Sequence, residues 1–210
     1  MYRLYYARYA IAMAPQVLLS ELDVPHELIA VDIYGPETPD WYVKLNPNRR
    51  VPTLTYDDQV VWEAGAIMIH LCDRHPEKGM APAPDDPMRA RFYQWMFYMA
   101  STVHPFGKNY NYAHRYSTEA AHIPAIKEKA IENLAEIYGR IEEALEPGPY
   151  ALGERYSAAD INFLVADIWR DLDDAGRGAP AFERPNLRRL AALLRERPAV
   201  QAMLEIHGIE

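Results

Sequence analysis

Apolar and aromatic side chains dominate residues 2–6 (YRLYY), as in a buried strand, and residues 16–22 carry a helical run with Pro15 at its start. Residues 26–33 (HELIAVDI) alternate polar with apolar until Gly35, Pro36 and Pro39 interrupt them, which predicts a second strand ending in a loop. Residues 53–56 and 60–62 flank Asp57-Asp58-Gln59 and predict a β-hairpin around a tight polar turn. Residues 66–74 then place Ile67 and Leu71 one helical turn apart. The resulting order, β-α-β-loop-β-β-α, implies a mixed sheet covered by helices.

Residues 79–87 (GMAPAPDDP) combine prolines with acidic side chains and can extend neither a helix nor a strand, so a domain boundary is expected there. Beyond it no segment has the pattern of a strand, whereas 88–101, 123–145, 158–171 and 187–194 are patterned as helices. Pro124, Pro185 and Pro198 fall where helices would begin, in the first turn that tolerates a missing amide hydrogen. This predicts an α/β domain over 1–78, a linker over 79–86 and a helical domain over 87–210.

Composition narrows the function. A chain of 210 residues, 50% of them apolar, can fill a sizeable core, and its formal charge of -8 excludes a general nucleic-acid binder, which needs a basic footprint. The opening MYRLYYARYA lacks the charged and long apolar segments of a signal peptide, and no stretch approaches the roughly 20 apolar residues that span a bilayer. A soluble, cytoplasmic protein with no membrane or nucleic-acid partner is expected. The single cysteine, Cys72, excludes an intrachain disulfide and sits within an apolar helix, where it is expected to be buried and inert. His104, His114 and His122 have no metal-ligand spacing on one helical face, so no metal is expected.

Residues 46–54, NPNRRVPTL, resemble the N-P-x-G-K-V-P-x-L segment of glutathione transferases. Alone, a Val-Pro of this kind marks no more than a strand start. Residues 62–73, WEAGAIMIHLCD, resemble the family's next signature, a strand end followed by Glu-Ser and a helix closing in Tyr-Leu-Ala-Asp. Gly153, Tyr156 and SAAD at 157–160 resemble its G-x-x-Y-S-x-A-D folding motif, and the residues themselves read as a capping box. The motifs occur in family order, and the resemblance covers the whole chain. It implies a thioredoxin-like N-terminal domain plus an all-helical C-terminal domain, glutathione as co-substrate bound where the two meet, and a homodimer.

The resemblance also implies roles. Val51-Pro52 is expected to be a cis bond whose neighbouring extended backbone pairs with the cysteinyl amide of glutathione as one more strand would. Glu63 corresponds to the acid that pairs with the α-ammonium; its bland alternative is a first-turn acid stabilising its helix. Ala64 replaces the serine that holds the γ-glutamyl carboxylate, though its amide at a helix start still offers a donor to an anion. Arg49 and Arg50 replace Gly-Lys; Arg50 is the expected partner of the glycyl carboxylate, which a guanidinium can hold with paired hydrogen bonds.

Residues 5–15, YYARYAIAMAP, resemble the bacterial beta-class opening L-Y-Y-x-P-G-x-C-S-x-x-P, but Ile11 and Ala12 stand at the cysteine and serine. Tyr6 matches in register the tyrosine that activates glutathione in other classes, or it is an aromatic packing at a strand end. Arg8 and Tyr9 are loop alternatives. His104 falls where beta-class relatives carry a histidine facing the active site, and an isolated histidine is also often structural. Tyr9, Tyr98, Phe106, Tyr110 and Tyr112, with Tyr116, are candidates for an apolar acceptor pocket, or for core.

A thiol with pKa about 8.5 is only a few per cent ionised at neutral pH, so a transferase must stabilise the thiolate. The donors expected to do so are Tyr6, backbone amides at residues 10–12, and His104. The expected activity is conjugation of glutathione to an apolar electrophile; the alternative is a non-catalytic binding or partner-interaction protein of the same fold. A glutaredoxin-like reductase would need a cysteine in the first turn, where none stands.

Overall fold

Leu4 and Leu54 are fully buried while Arg3 remains outside, where its guanidinium meets Glu27 at 3.1 Å, and this alternation sets β1 (Tyr2–Tyr6) into the interior of a sheet. The computed structural model describes residues 1–35, 37–174 and 182–209, giving only the backbone of 172–174; Pro36, one of the loop-forming residues in the sequence, lies outside them. The four-stranded sheet has the order β2-β1-β3-β4. β1 runs parallel to β2 (His26–Ala30) and antiparallel to β3 (Thr53–Tyr56), which pairs antiparallel with β4 (Gln59–Trp62). A parallel pair needs a crossover, supplied by α1 (Met13–Glu21), whose Met13, Ala14, Val17, Leu18 and Leu19 are fully buried. α3 (Ala64–Arg74) follows β4 and packs against α1.

Between β2 and β3, where the breakers predict only loop, the chain forms the short α2 (Asp40–Leu45) behind Pro39. Six residues are too few to display a helical period, and Tyr42 is its one buried side chain. α1 begins at Met13 rather than at residue 16, because Pro15 occupies the first turn, where its missing amide costs nothing.

Two compact units result: Met1–Asp86 with Leu193–Glu210, and Pro87–Ala192. The sequence pattern assigns 193–210 to the helical domain, but α9 (Pro198–His207) lies along α1 in the first unit. Val200 and Met203 are fully buried, and the Arg197 guanidinium grips Glu21 through two bonds of 2.6 and 2.7 Å. Helical periodicity says nothing about which sheet or bundle a helix joins.

The second unit contains α4 (Arg89–Tyr98), a π-helical turn (Met99–Val103), α5 (His104–Asn111), α6 (Ile123–Leu145), α7 (Ala158–Asp174) and most of α8 (Pro185–Arg195). Its core includes Phe92, Ile141, Leu145, Ile161, Phe163 and Leu164, all fully buried. At the start of α7 the capping box is formed. The Ser157 hydroxyl accepts the Ala159 amide at 3.3 Å, while the Asp160 carboxylate takes the Ser157 amide at 2.8 Å and its hydroxyl at 3.1 Å. Ser157→Ala is therefore expected to cost about 1 kcal/mol or more in urea melts. Equal stability of variant and parent would contradict the capping role.

Candidate functional site

The pairing registers collect the candidate residues of the first unit at one end of its sheet. Tyr5 pairs with Thr53, and Thr53 with Trp62. The antiparallel ladders end at these pairs, and Tyr6, Pro52 and Glu63 are each the next residue beyond them at this end of the sheet. Tyr6 leads into α1 and Glu63 into α3, so both helix N-termini, with their unpaired amides and positive dipole ends, follow directly from this row.

The middle of the row is held from beneath. Val51-Pro52 is a cis bond, as expected from the sequence motif. Tyr42 donates its hydroxyl to the Arg50 carbonyl at 2.6 Å, and Asn46 donates to the same oxygen at 2.8 Å. Asn46 also donates to the Thr53 hydroxyl at 3.1 Å, which lies 2.8 Å from the Tyr42 oxygen. Burial pushes the Tyr42 phenol above its ordinary value despite these bonds, so it remains a neutral donor. Each member of the network has a partner, which fixes the 50–52 backbone. Val51 presents an amide and a carbonyl that engage no other described residue, at the mouth of β3. The Arg50 side chain is exposed.

Glu63 stands outside α3 as its N-cap, with φ 70° and ψ 116°, and makes no capping bond. A helix-stabilising first-turn acid would lie inside the helix with ordinary dihedrals. A glutamate with positive φ is strained, and strain of this kind collects at ligand sites. The first intrahelical bond runs from the Ile67 amide to the Glu63 carbonyl at 2.9 Å, leaving the amides of Ala64, Gly65 and Ala66 without acceptors among the described residues.

Tyr6 is half-buried and packs beside a cluster of Tyr5, Ala7, Ala12, Val31, Tyr42 and Val51. Its hydroxyl meets no partner among the described residues. In the turn that follows, the Ala10 amide is taken by the Ala7 carbonyl at 3.3 Å, which removes it from the donors expected in the sequence. The amides of Ile11 and Ala12 find no acceptor among the described residues; Ile11 keeps 9% of its surface and Ala12 none. Tyr9 has φ 58°, and its amide donates to His207 Nδ1 at 3.0 Å. His207, at the end of α9, carries no signal in the linear pattern; of the Tyr42–Asn46–Thr53 network, Asn46 and Thr53 lie within the 46–54 motif, whereas Tyr42 is marked only by its i, i+4 spacing from Asn46.

In the second unit, His104 is half-buried and stacks on Trp169, ring centroids 5.0 Å apart, directly after the π-helical turn. π-Helical turns within helices are frequent at functional sites. Tyr98 sets its ring edge-on to Trp95 at 5.5 Å, and burial raises its phenol above the ordinary value. Phe106 and Tyr112 are half-buried, the latter under the Arg115 guanidinium at 4.5 Å. Tyr110 is only 4% exposed, with the Lys127 ammonium 5.2 Å above its ring, which leaves it little surface for a ligand. No group of three or more His, Cys, Asp or Glu side chains suited to a metal occurs among the described residues, and none of their helices is long and apolar enough to cross a membrane.

Residues 1–73 match the family described as the N-terminal domain of glutathione S-transferase. Glutathione S-transferase GST-4.5 of Xanthomonas campestris is 28% identical over 167 residues, which cover 80% of this chain and 81% of that one. A glutathione transferase from Methylococcus capsulatus matches with a TM-score of 0.85 and 27% identity over 99% of both chains. A sphingomonad glutathione S-transferase complexed with glutathione matches with a TM-score of 0.84 and 26% identity, over 99% of this chain and 100% of that one. Residues 1–73 belong to the glutathione S-transferase N-terminal domain family, and the chain has the glutathione S-transferase fold, with a thioredoxin-like N-terminal domain built on the mixed sheet and a helical C-terminal domain.

Proposed function

We propose that the chain binds glutathione at the end of the sheet marked by Tyr6, Pro52 and Glu63, and transfers its thiolate to an apolar electrophile. The observation that carries this reading is that row itself, a fixed strand mouth with unengaged backbone set beside two helix starts. The Val51 amide and carbonyl would pair with the cysteinyl residue of glutathione as an added strand. Glu63 would receive the α-ammonium, and the Ala64 amide with the dipole of α3 the γ-glutamyl carboxylate. Arg50 would fork onto the glycyl carboxylate. That leaves the sulfur near the Tyr6 hydroxyl and the Ile11 amide, with His104, Tyr9, Tyr98, Phe106 and Tyr112 assigned to activation and the acceptor by resemblance, and Tyr110 left to the core. Bound glutathione in the sphingomonad relative supports the ligand. We read the protein as a cytoplasmic homodimer, where glutathione is kept reduced; Val60 and Trp62, 44% and 41% exposed on the edge strand β4, would suit cover by a second copy, and sedimentation at the monomer mass would contradict this.

A second reading has its own observation. Ile11 and Ala12, which replace the thiol and hydroxyl of the beta-class turn, are buried apolar residues. They favour a protein that binds glutathione without activating it.

Glu63→Gly separates a ligand contact from a structural role. Glycine adopts positive φ without strain, so the variant is expected to gain about 1 kcal/mol of stability and to lose tenfold or more in glutathione affinity by titration calorimetry. Unchanged affinity would contradict the assignment of Glu63 to the α-ammonium.

A further inference from the structure

His207 is fully buried although it lies three residues from the end of the chain. Its two ring nitrogens are both engaged. The Tyr9 amide can only donate, so Nδ1 at 3.0 Å carries the lone pair. Nε2 therefore bears the proton and donates to the Gln16 side-chain oxygen at 3.0 Å. The neutral Nε2–H imidazole is the one form that satisfies both bonds; an imidazolium would set an N–H against the Tyr9 N–H.

The turn it touches needs support. Tyr9 lies at φ 58°, a left-handed conformation costly for a residue with a Cβ. The rings of Tyr6 and Tyr9 lie 5.6 and 6.4 Å from the imidazole. Gly208, at φ 65°, ends α9 immediately afterwards, and a Cβ there would stand 3.0 Å from the Arg8 guanidinium, so the backbone at Gly208 runs close beside the turn. The bridge thus joins three segments far apart in sequence: the turn, α1 through Gln16, and α9.

Resting on the glutathione reading above, we infer that His207 is a positioning residue. Its neutral imidazole holds the turn after β1 in the shape that aims the Ile11 amide and the Tyr6 hydroxyl at the glutathione sulfur. Thiolate stabilisation then depends on a proton held at the far end of the chain. The groups facing the imidazole are the Arg8 guanidinium and the phenols of Tyr6 and Tyr9; Gln16 from α1 is uncharged, and the Glu21–Arg197 pair joins α1 and α9 at the opposite end of α9. Burial and the Arg8 charge push the imidazole down to about 4, so the anchor stays neutral at physiological pH.

Nuclear magnetic resonance on the whole chain tests this directly. The ring nitrogens of His207 in the parent are expected to report the Nε2–H tautomer, and the reverse tautomer would overturn the inference without any substitution. In His207→Leu the Tyr9 amide is expected to exchange with solvent at least tenfold faster, while the Val31 amide, bonded to the Tyr6 carbonyl at 2.8 Å, keeps its protection. The bound thiol in the same variant is expected to titrate about one pH unit higher, a tenfold loss of thiolate preference. His207→Asn, which retains an acceptor near the position of Nδ1, is expected to restore most of both effects. If His207→Leu does not fold, Gln16→Met tests the same bridge from its other end and should likewise speed Tyr9 exchange. Tyr9 exchange and thiol titration unchanged from the parent would overturn the inference. A parent thiol that titrates like free glutathione overturns the transferase reading instead, and Tyr9 exchange then decides the anchoring role alone.

Discussion

Replacing Asp160 by alanine is expected to destabilise the chain by about 3–5 kcal/mol in urea melts. Its carboxylate is fully buried and accepts the Ala151 amide at 2.6 Å, the Ser157 amide at 2.8 Å and the Ser157 hydroxyl at 3.1 Å. Alanine strands these donors where water cannot replace the lost acceptor, at about 1–3 kcal/mol each. A loss below about 1 kcal/mol would mean that the 151–160 segment rearranges to satisfy them. Glutathione affinity should be untouched in the population that remains folded, because the residue supports the helical unit and not the sheet end.

A second large effect appears as opposed pH slopes. Burial pushes Asp160 up to about 6 against its hydrogen bonds, and burial with the Arg8 charge pushes His207 down to about 4. For His207 the unfolded chain binds the proton first, so its contribution is complete above pH 6.5 and is lost as pH falls towards 4, about 3 kcal/mol in all. For Asp160 the folded chain binds the proton first, so stability is greatest below pH 3.8 and is lost as pH rises through 6, by a similar amount. The two largely cancel in the parent. Asp160→Asn leaves the histidine term, and the variant should lose about 3 kcal/mol relative to the parent between pH 6.5 and 4; His207→Asn leaves the carboxylate term and should gain about as much over the same range. Parallel curves for the parent and both variants would show that neither group titrates between these limits.

Much of this architecture is legible in the sequence wherever one local pattern decides it. α6 occupies residues 123–145 as its periodicity predicts, because an amphipathic stripe of Leu134, Ile137, Ile141 and Leu145 leaves one face to bury. β1 and the hairpin appear for the same reason, the turn at Asp57 and Asp58 being short and polar. The row at the sheet end was readable because its parts, residues 46–54 and 62–73, are continuous segments bearing recognisable motifs. What lies behind that row was not. Tyr42 and Thr53 are 11 residues apart and meet only through the helix that no periodicity announced. Tyr9 and His207 are 198 residues apart, and a lone histidine near the end of an apolar helix gives no sign of its partner. Long-range polar contacts depend on which elements pack together, and hydrophobic pattern alone does not assign α9 to the sheet rather than to the bundle.

On the proposed function, glutathione is held with its sulfur ionised at the end of the sheet. Thiolate absorbance of bound glutathione against pH tests it most directly, on the parent and on Tyr6→Phe. The parent thiol is expected to titrate about two pH units below the 8.5 or so of an ordinary thiol, a preference of about 2.7 kcal/mol that one or two charge-assisted hydrogen bonds and a helix start can supply. Removal of the phenolic donor in Tyr6→Phe should raise that value by about one unit and barely alter affinity at a pH where the thiol is neutral. Binding with a thiol that titrates like free glutathione would contradict the account and leave a protein that holds glutathione without activating it.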